Sequence, residues 1–452
     1  YLGLSTIRRD ASGAISIDTE VHGPIVEYAV RLRQFDRTQE LDGLVEGGTV
    51  DAELLREFGR NVADAHASAA TAHEPHHGTP DAIRSIVAGN VEELQAADLS
   101  ADESAIVNRV ARRLVTLGQA LHETMLGRRE SSCVRECHGD LHAGNVVKID
   151  DRLVAFDCIE FDPALRFIDR LCDAAFLYMD LRARRRNDLA YGFLDGWLER
   201  TGDYAGLPLL PYYSAYRALV RAKVMHLTQR CGASASRRPA PGVTPRAYLE
   251  LAGELLDGPT PVLIVMMGLS GSGKTWISER LIAALPAVRV RSDVERKRLA
   301  GLAADASSRS TVGAGLYSLE FNERTYARLA ECAAQSLRGG ENVIVDAAFL
   351  KRSERDAMDL LATGAGATCV IVSCVAPTDV LRDRIRRRAS AGNDASEATL
   401  DVLDRQLGYL EPLGTGEGHT ITVETTAADA VQQVLGGIAG LRTQAADQVI
   451  AP

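Results

Sequence analysis

The stretch that decides the fold of the C-terminal half of the chain is VLIVMMGLSGSGKT, residues 262–275. Its apolar first half is typical of a buried strand, and it leads directly into the pattern G-x-x-x-x-G-K-[ST]. A helical pattern follows from Trp276. A strand, this loop and a helix in that order predict a phosphate-binding loop. Glycines let backbone N–H groups turn inward around phosphate oxygens, and the helix N-terminus adds partial positive charge.

Each residue type in the loop has a predicted role. The amine of Lys274 is expected to reach the β- and γ-phosphates and to act in catalysis, and the hydroxyl of Thr275 is expected to face Mg²⁺. The sequence therefore predicts ATP and Mg²⁺ as cofactors. The residues predicted to hold the nucleotide are Gly268, Ser270, Gly271, Ser272, Gly273, Lys274 and Thr275.

Beyond the loop, apolar strands alternate with helical segments. This alternation predicts an α/β domain with a parallel sheet. The predicted strands cover residues 262–267, 287–291, 342–346, 368–374 and 419–423.

Two acids that follow these strands favour a kinase over a simple ATPase. Asp293 follows the second strand, where a carboxylate could accept a proton from an attacking hydroxyl, although a helix N-cap is the alternative. Arg296 and Lys297 on the same segment are expected to keep it ionised. Asp346 ends the strand NVIVD and is predicted to hold Mg²⁺, the alternative being a solvated strand end.

A late helical segment, APTDVLRDRIRRRAS, carries Arg384 and Arg388. Such arginines could close over transferring phosphates, and a solvated basic face is the alternative. Residues 260–440 resemble the small P-loop kinases, the group that includes gluconate kinase, polynucleotide kinase and chloramphenicol phosphotransferase. The resemblance implies that Asp293 faces the acceptor and that Arg384 and Arg388 belong to a mobile lid. It does not identify the acceptor.

A second motif lies in the N-terminal half, where residues 137–145 read CHGDLHAGN. The spacing H-x-D-x₄-N matches a kinase catalytic loop. Such a loop needs a carboxylate near the acceptor hydroxyl, here Asp140, and an amide ligand for Mg²⁺, here Asn145. A predicted hairpin follows, and Asp157 at its end is the candidate second metal carboxylate.

HGDLHAGN followed by FDCIEFD resembles the aminoglycoside phosphotransferase family and its choline-kinase-like relatives over roughly residues 20–230. The resemblance implies an α+β kinase-like domain in which Asp140 is the catalytic base and Asn145 and Asp157 hold Mg²⁺. Such kinases carry a lysine on the third strand of their N-lobe, whereas the first lysine of this chain is Lys148. We therefore expect an incomplete N-lobe. A start at Tyr1 favours a missing upstream segment over true loss of the lobe.

The sequence predicts three segments: an aminoglycoside phosphotransferase-like domain over 1–230, a linker and connecting helix over 231–257, and a P-loop kinase domain over 258–452. Their order resembles a family of bifunctional proteins described as aminoglycoside phosphotransferase/ATP-binding protein. The first hypothesis is an ATP-dependent phosphotransferase that transfers the γ-phosphate to a hydroxyl of a small acceptor. One alternative is a degenerate N-terminal sensor that regulates a P-loop NTPase. Another is a P-loop switch that hydrolyses ATP without an acceptor.

Composition restricts the partners. The 452 residues include 51 basic and 61 acidic side chains, a net charge of −10, which is unfavourable for a general nucleic-acid binder. No stretch approaches the ~18 apolar residues that a membrane span needs. Eight cysteines form no C-x-x-C pair, which predicts reduced thiols in a cytoplasmic protein. We therefore expect a small-molecule partner and neither nucleic acid nor membrane, while the oligomeric state is not predicted.

Overall fold

The computed structural model describes residues 2–18, 23–230, 243–304, 306, 316, 318–391 and 398–450. The chain opens with an antiparallel sheet of three strands in the order β2-β1-β3. These strands are β1 (Gly3–Arg9), β2 (Ile15–Ile17) and β3 (Ile25–Arg31). The turn between the first two is held by Asp10, whose Oδ1 accepts the backbone amides of Ser12 and Ala14 at 2.8 and 2.9 Å.

A helical body follows the sheet. Its helices are α1 (Leu41–Glu46), α2 (Ala52–Ser68), α3 (Pro80–Gln95), α4 (Ala101–Ala120), α5 (His122–Glu130), α6 (Pro163–Arg166), α7 (Arg170–Ala183), α8 (Asn187–Thr201), α9 (Leu210–Arg230) and α10 (Pro245–Leu256). Short 3₁₀ turns cover Arg37–Gln39, Ala143–Asn145 and Tyr204–Leu209. Two antiparallel pairs accompany them: β4 (Val134–Glu136) with β7 (Phe167–Asp169), and β5 (Val146–Ile149) with β6 (Arg152–Ala155).

Local chemistry sets where several of these helices begin. Asp51 caps α2 by accepting the amide of Leu54 at 2.9 Å. Helix α4 starts with a capping box, in which Ser100 and Glu103 each accept the other's backbone amide. Both arrangements satisfy amides that the first helical turn leaves without partners. The predicted linker from 231 to 242 lies outside the described residues. The predicted connecting helix is present as α10, and it packs on α4, α7 and α9.

The C-terminal half contains the predicted parallel sheet. Its five strands, in the order β12-β11-β8-β10-β9, all run parallel. They are β8 (Val262–Met267), β9 (Ala287–Arg291), β10 (Asn342–Asp346), β11 (Thr368–Val375) and β12 (His419–Glu424). The helices are α11 (Lys274–Ala284), α12 (Ser292–Leu299), α13 (Leu319–Arg338), α14 (Arg352–Gly364), α15 (Thr378–Ala391), α16 (Leu400–Tyr409) and α17 (Ala430–Ile450). The predicted α/β arrangement is confirmed.

The two halves share one hydrophobic core, because α8 packs on α11 and β9. Arginines of the C-terminal half also bind the last carbonyls of α8. Arg298 donates to the carbonyls of Glu199 and Arg200 at 2.6 and 3.3 Å, and Arg328 donates to that of Gly202 at 3.0 Å. Cations at a helix C-terminus satisfy free carbonyls and oppose the helix dipole. Among the described helices, none is both long and apolar enough to cross a membrane.

Candidate active site

The loop after β8 has the backbone shape that phosphate binding requires. Gly268, Gly271 and Gly273 all have positive φ angles, of 147°, 81° and 89°. Space as well as φ demands glycine, because a Cβ at Gly271 would lie 2.7 Å from the carbonyl oxygen of Leu381. The Nζ of Lys274 donates to the carbonyl of Gly268 at 2.8 Å. Helix α11 begins at Lys274, immediately after this loop. The loop and the helix N-terminus together offer backbone amides to a phosphate.

Side chains of α15, of α16 and of the residue after β12 form hydrogen bonds with this loop. Arg384 donates through Nη1 to the carbonyl of Gly271 at 3.2 Å and to Thr425 Oγ1 at 2.9 Å. The hydroxyl of Thr425 donates to the carbonyl of Ser272 at 2.7 Å. The amide of Ser270 is bound by Gln406 Oε1 at 2.8 Å. Arg384 is thus tied to the phosphate loop itself rather than forming part of a solvated basic face.

The carboxylate of Asp346 lies at the C-terminal end of β10, buried beside the loop. It accepts a hydrogen bond from Ser278 Oγ at 2.9 Å. Burial lowers the pKa of Lys274, and the negative charge of Asp346 is the main influence that opposes this effect. Because Thr275 and Asp346 both line the cleft, a hydroxyl and a carboxylate oxygen are available together. These are ligands that Mg²⁺ prefers, and the donor set therefore fits the predicted metal.

We expect Asp346→Asn to raise the Mg²⁺ concentration needed for half-maximal nucleotide turnover by about 10–100-fold, the usual cost of losing a group that supports a metal. The substitution removes charge and keeps shape, so the fold should survive. A Mg²⁺ titration of turnover measures the effect. Asp356→Asn, which alters a surface ion pair with Arg352, is the control. An unchanged titration would place the metal elsewhere.

A cleft of about 730 Å³ opens beside the loop at the carboxyl ends of the strands, where ligands of open α/β sheets gather. Predicted site residues that line it are Ser270, Gly271, Gly273, Lys274, Thr275, Asp293, Asp346, Arg384 and Arg388. Residues that sequence analysis did not select, but that line the same space, include Trp276, Asn322, Tyr326, Lys351, Glu354 and Arg405. The structure thus places the two predicted acids and both arginines around one cavity.

Asp293 lies in the first turn of α12, but the residue in the N-cap position is Arg291, with no side-chain cap. The helix-cap alternative for Asp293 is therefore not what the structure shows. The expected cationic neighbours are engaged in other contacts. Arg296 donates to Asn322 Oδ1 at 2.6 Å, and Lys297 donates to the carbonyl of Ala304 at 3.0 Å.

The segment after Asp346 carries a strained backbone that the sequence did not reveal. Phe349 is fully buried and has a φ of 45°, a region that costs a bulky residue of order 1–3 kcal/mol. Its amide donates to Tyr326 Oη at 3.2 Å, and the two rings meet edge to face at 5.2 Å. The bend lets the carbonyl of Ala348 accept the amide of Gly268 at 3.0 Å. This hydrogen bond holds the segment around Ala348, which lines the cleft, against the phosphate loop.

The second motif forms a compact loop before β5. Asn145 is buried, and its Nδ2 donates to Asp140 Oδ2 and to the Asp140 carbonyl, both at 2.9 Å. Burial alone would raise the pKa of Asp140, but a hydrogen bond with His142 and the charges of Arg221 and Arg217 lower it to about 2. The carboxylate is therefore ionised throughout the neutral pH range.

The loop is held from behind by a buried carboxylate of α7. Asp173 accepts the backbone amides of His138 and Gly139 at 3.2 and 2.8 Å. Its Oδ2 also lies 3.0 Å from His66 Nε2, and the indole N–H of Trp197 donates to His66 Nδ1 at 3.1 Å. Because Nδ1 of His66 accepts, its Nε2 carries the proton and donates to Asp173. Asp173 therefore shapes the loop from within the core.

A backbone hydrogen bond brings the two predicted metal ligands of this loop, Asn145 and Asp157, near each other. The amide of Phe156 donates to the carbonyl of Asn145 at 2.9 Å, which places Asp157 one residue beyond that pair. Asp157 is exposed and has a φ of 61°. The Oδ1 of Asn145 is buried without a hydrogen-bond donor among the described residues. A free amide oxygen beside a carboxylate fits a hard cation such as Mg²⁺.

Comparison with known proteins matches residues 263–413 to the family model described as AAA domain. Among curated proteins, an uncharacterized protein of Mycobacterium tuberculosis (strain ATCC 25618 / H37Rv) is 32% identical over 270 residues, 60% of this chain and 53% of the relative. An uncharacterized protein of Mycobacterium bovis matches with the same values. The chain thus spans about half the length of the curated relatives it matches.

Similar solved structures include a gluconokinase from Sinorhizobium meliloti 1021, 26% identical, covering 42% of this chain and 98% of that one, with a TM-score of 0.31. Another is the APS kinase of Mycobacterium tuberculosis in complex with AMPPNP and APS, 20% identical, covering 40% and 98%, with a TM-score of 0.29. Residues 263–413, the part of the chain similar to the AAA domain family, carry the phosphate loop and most of the cleft.

Proposed function

We propose that the chain is an ATP-dependent phosphotransferase whose competent site is the cleft of the C-terminal half. The observation that carries the proposal is the position of Asp293. Its carboxylate lines the same cleft as the phosphate loop and Asp346, and it is not used as a helix cap. A carboxylate in this position can activate an acceptor hydroxyl or a water molecule. The cleft of about 730 Å³ has room for a small acceptor beside the phosphates, and this favours transfer to a hydroxyl.

In this mechanism, the backbone nest and Lys274 hold the β- and γ-phosphates, while Thr275 and Asp346 would hold Mg²⁺, which neutralises phosphate charge when bound. Asp293 accepts the proton of the acceptor hydroxyl as its oxygen bonds to the γ-phosphorus. The bond between that phosphorus and the bridging oxygen breaks, and ADP leaves with the electron pair. Arg388, which lines the cleft, would stabilise the charge on the transferring group.

A screen of metabolite pools tests the reaction type. We expect one or more pools to stimulate ADP release by the intact chain with Mg-ATP, without an equal release of inorganic phosphate. The stimulated part should disappear in Asp293→Asn. Release of phosphate in equal amount to ADP under every condition would favour the hydrolytic switch instead.

We also propose that the N-terminal half is an aminoglycoside phosphotransferase-like domain. Its support is the loop in which Asn145 binds Asp140, with the Asn145 Oδ1 left available. Residues 1–147 contain no lysine that could hold α- and β-phosphates, so within this sequence we expect ATP to bind at the phosphate loop of the C-terminal half. A ligand-sensing module that regulates that half is the alternative to a second kinase for this domain. The name of this family does not specify an antibiotic as its ligand.

We therefore expect calorimetry with Mg-ATP to give one binding site per chain. Lys274→Ala should weaken that site strongly, whereas Asp140→Asn should leave both the stoichiometry and the affinity unchanged. Asp140 is ionised above pH ~4 given its lowered pKa of about 2, so the comparison holds across the neutral range. Two sites per chain, one of them sensitive to Asp140→Asn, would show a second working kinase.

A further inference from the structure

A buried arginine of the C-terminal half is held by the N-terminal half. Arg289 lies on β9, and its side chain is fully buried. Its Nε and Nη2 donate to the two carboxylate oxygens of Asp195 on α8, at 3.2 and 2.9 Å. Its backbone carbonyl accepts a hydrogen bond from the hydroxyl of Tyr204 at 3.1 Å. Both contacts come from the N-terminal half, so that half fixes the side chain and the backbone of Arg289 together.

The third nitrogen of the same guanidinium faces the nucleotide site. Nη1 of Arg289 lies 3.5 Å from Ser278 Oγ. That hydroxyl has two acceptors within reach, Asp346 Oδ2 at 2.9 Å and the carbonyl of Thr275 at 3.0 Å. The carboxylate of Glu279 lies 3.4 Å from the same nitrogen. A continuous polar chain thus runs from Asp195 through Arg289 and Ser278 to the acid that is proposed to hold the metal.

The charges of these buried groups explain how Asp195 can influence Asp346. Asp195, Arg289, Ser278 and Asp346 are all buried, so a charge left without its partner there would be poorly solvated. Arg289 has Asp195 as a bidentate partner, an arrangement that fixes a guanidinium in one orientation, and Asp195 also pairs with Arg56 Nε at 2.9 Å. Without Asp195, the carboxylates left to the guanidinium of Arg289 are Glu279, at 3.4 Å, and Asp346, which is one Ser278 hydroxyl away. An Asp346 that neutralises Arg289 is less available to a divalent cation.

We propose that Asp195 and Arg289 are positioning residues of the nucleotide site. Asp195 holds the guanidinium of Arg289 behind Ser278, and this leaves the carboxylate of Asp346 free for Mg²⁺. The inference rests on the proposed function only in assigning Asp346 to the metal. It makes the N-terminal half a part of the metal site, although none of the residues described in that half lines the cleft.

The test uses the full chain and a readout that does not need turnover. ADP affinity is measured by calorimetry over a series of Mg²⁺ concentrations. We expect Asp195→Asn to raise the Mg²⁺ concentration for half-maximal enhancement of ADP affinity by about 10-fold, as for supporting partners of metal ligands. ADP affinity without Mg²⁺ should change little. The double variant Asp195→Asn with Arg289→Met removes the displaced charge that lies next to Ser278, while Arg56 stays in place, and it should return the Mg²⁺ dependence toward that of the parent.

Tyr191→Phe is the matched control, because Tyr191 lies on the same helix and its hydroxyl binds Glu341 across the same interface. It should lower the melting temperature without shifting the Mg²⁺ dependence. Asp195→Glu keeps the charge and provides a second comparison if Asp195→Asn does not fold; it should retain a Mg²⁺ dependence close to that of the parent.

Three outcomes would overturn the inference. A Mg²⁺ dependence that is unchanged in Asp195→Asn would leave the pair a purely structural role. If the double variant needs as much Mg²⁺ as Asp195→Asn does, the displaced charge of Arg289 does not cause the shift in Mg²⁺ dependence. A parent protein whose ADP affinity ignores Mg²⁺, or an Asp346→Asn variant identical to it, would remove the metal assignment itself, and that result is distinguishable from the first two.

Discussion

Lys274→Ala is expected to reduce ATP-dependent turnover by at least about 10²–10³-fold, the range found when one donor to a developing negative charge is removed. In the structure, the amine lies at the mouth of the phosphate loop and donates to the carbonyls of Gly268 and Leu269. These are contacts that a nucleotide would replace. The half-buried side chain lines the open cleft rather than the hydrophobic core, so its loss widens the cleft, and the melting temperature should be close to that of the parent.

Calorimetry with Mg-ATP should show a corresponding loss of affinity. Lys223→Ala is the matched control, since that lysine pairs with Glu93 at 3.0 Å on the N-terminal helices. It should retain full turnover. Unchanged nucleotide affinity in Lys274→Ala would mean that the loop does not hold phosphates.

Asp293→Asn is expected to lose about 10²–10⁴-fold in phosphoryl transfer, the usual cost of removing a general base, while it still binds Mg-ATP. The amide keeps the size of the side chain and removes its proton affinity. Single-turnover transfer to the acceptor found in the screen measures the chemical step, and nucleotide calorimetry separates that step from binding.

Asp401→Asn is the control for this experiment. Like Asp293, Asp401 lies in the first turn of a helix, α16, but it is exposed and outside the cleft, so it reproduces any effect of the substitution on the helix dipole. Transfer at the parent rate in Asp293→Asn would show that the acceptor lies elsewhere in the cleft.

Strand positions in the C-terminal half could be predicted closely from the sequence. The predicted 262–267, 287–291 and 342–346 coincide with β8, β9 and β10. All three strands are mostly buried, and β8 and β10 read as the continuous apolar runs that are typical of buried parallel strands, whereas β9 reads AVRVR with a buried arginine, Arg289. The phosphate loop could also be predicted from the sequence, because its motif spans only a few residues. Its glycines are required there by positive φ angles and by the lack of room for a Cβ.

Features that depend on distant residues could not be predicted. Asp195 and Arg289 are 94 residues apart, and nothing in either local sequence shows that they form a pair. Asn322 and Tyr326 reach the cleft from α13 only because the helix packs against β10. The bend at Phe349 is imposed by its surroundings, since a bulky aromatic residue does not favour a positive φ on its own.

The capping of α8 by arginines of the C-terminal half has a consequence for how the protein is made. Arg328 follows Gly202, whose carbonyl it binds, by 126 residues. At a synthesis rate of about 5–20 residues per second, that interval corresponds to roughly 6–25 s. Until then the carbonyl of Gly202 lacks this arginine, although α8 can already pack on α2 and α7, which precede it in the chain. The helices of the N-terminal half are therefore synthesised before the strands and arginines that contact α8. The two halves reach their final packing only after most of the chain has emerged.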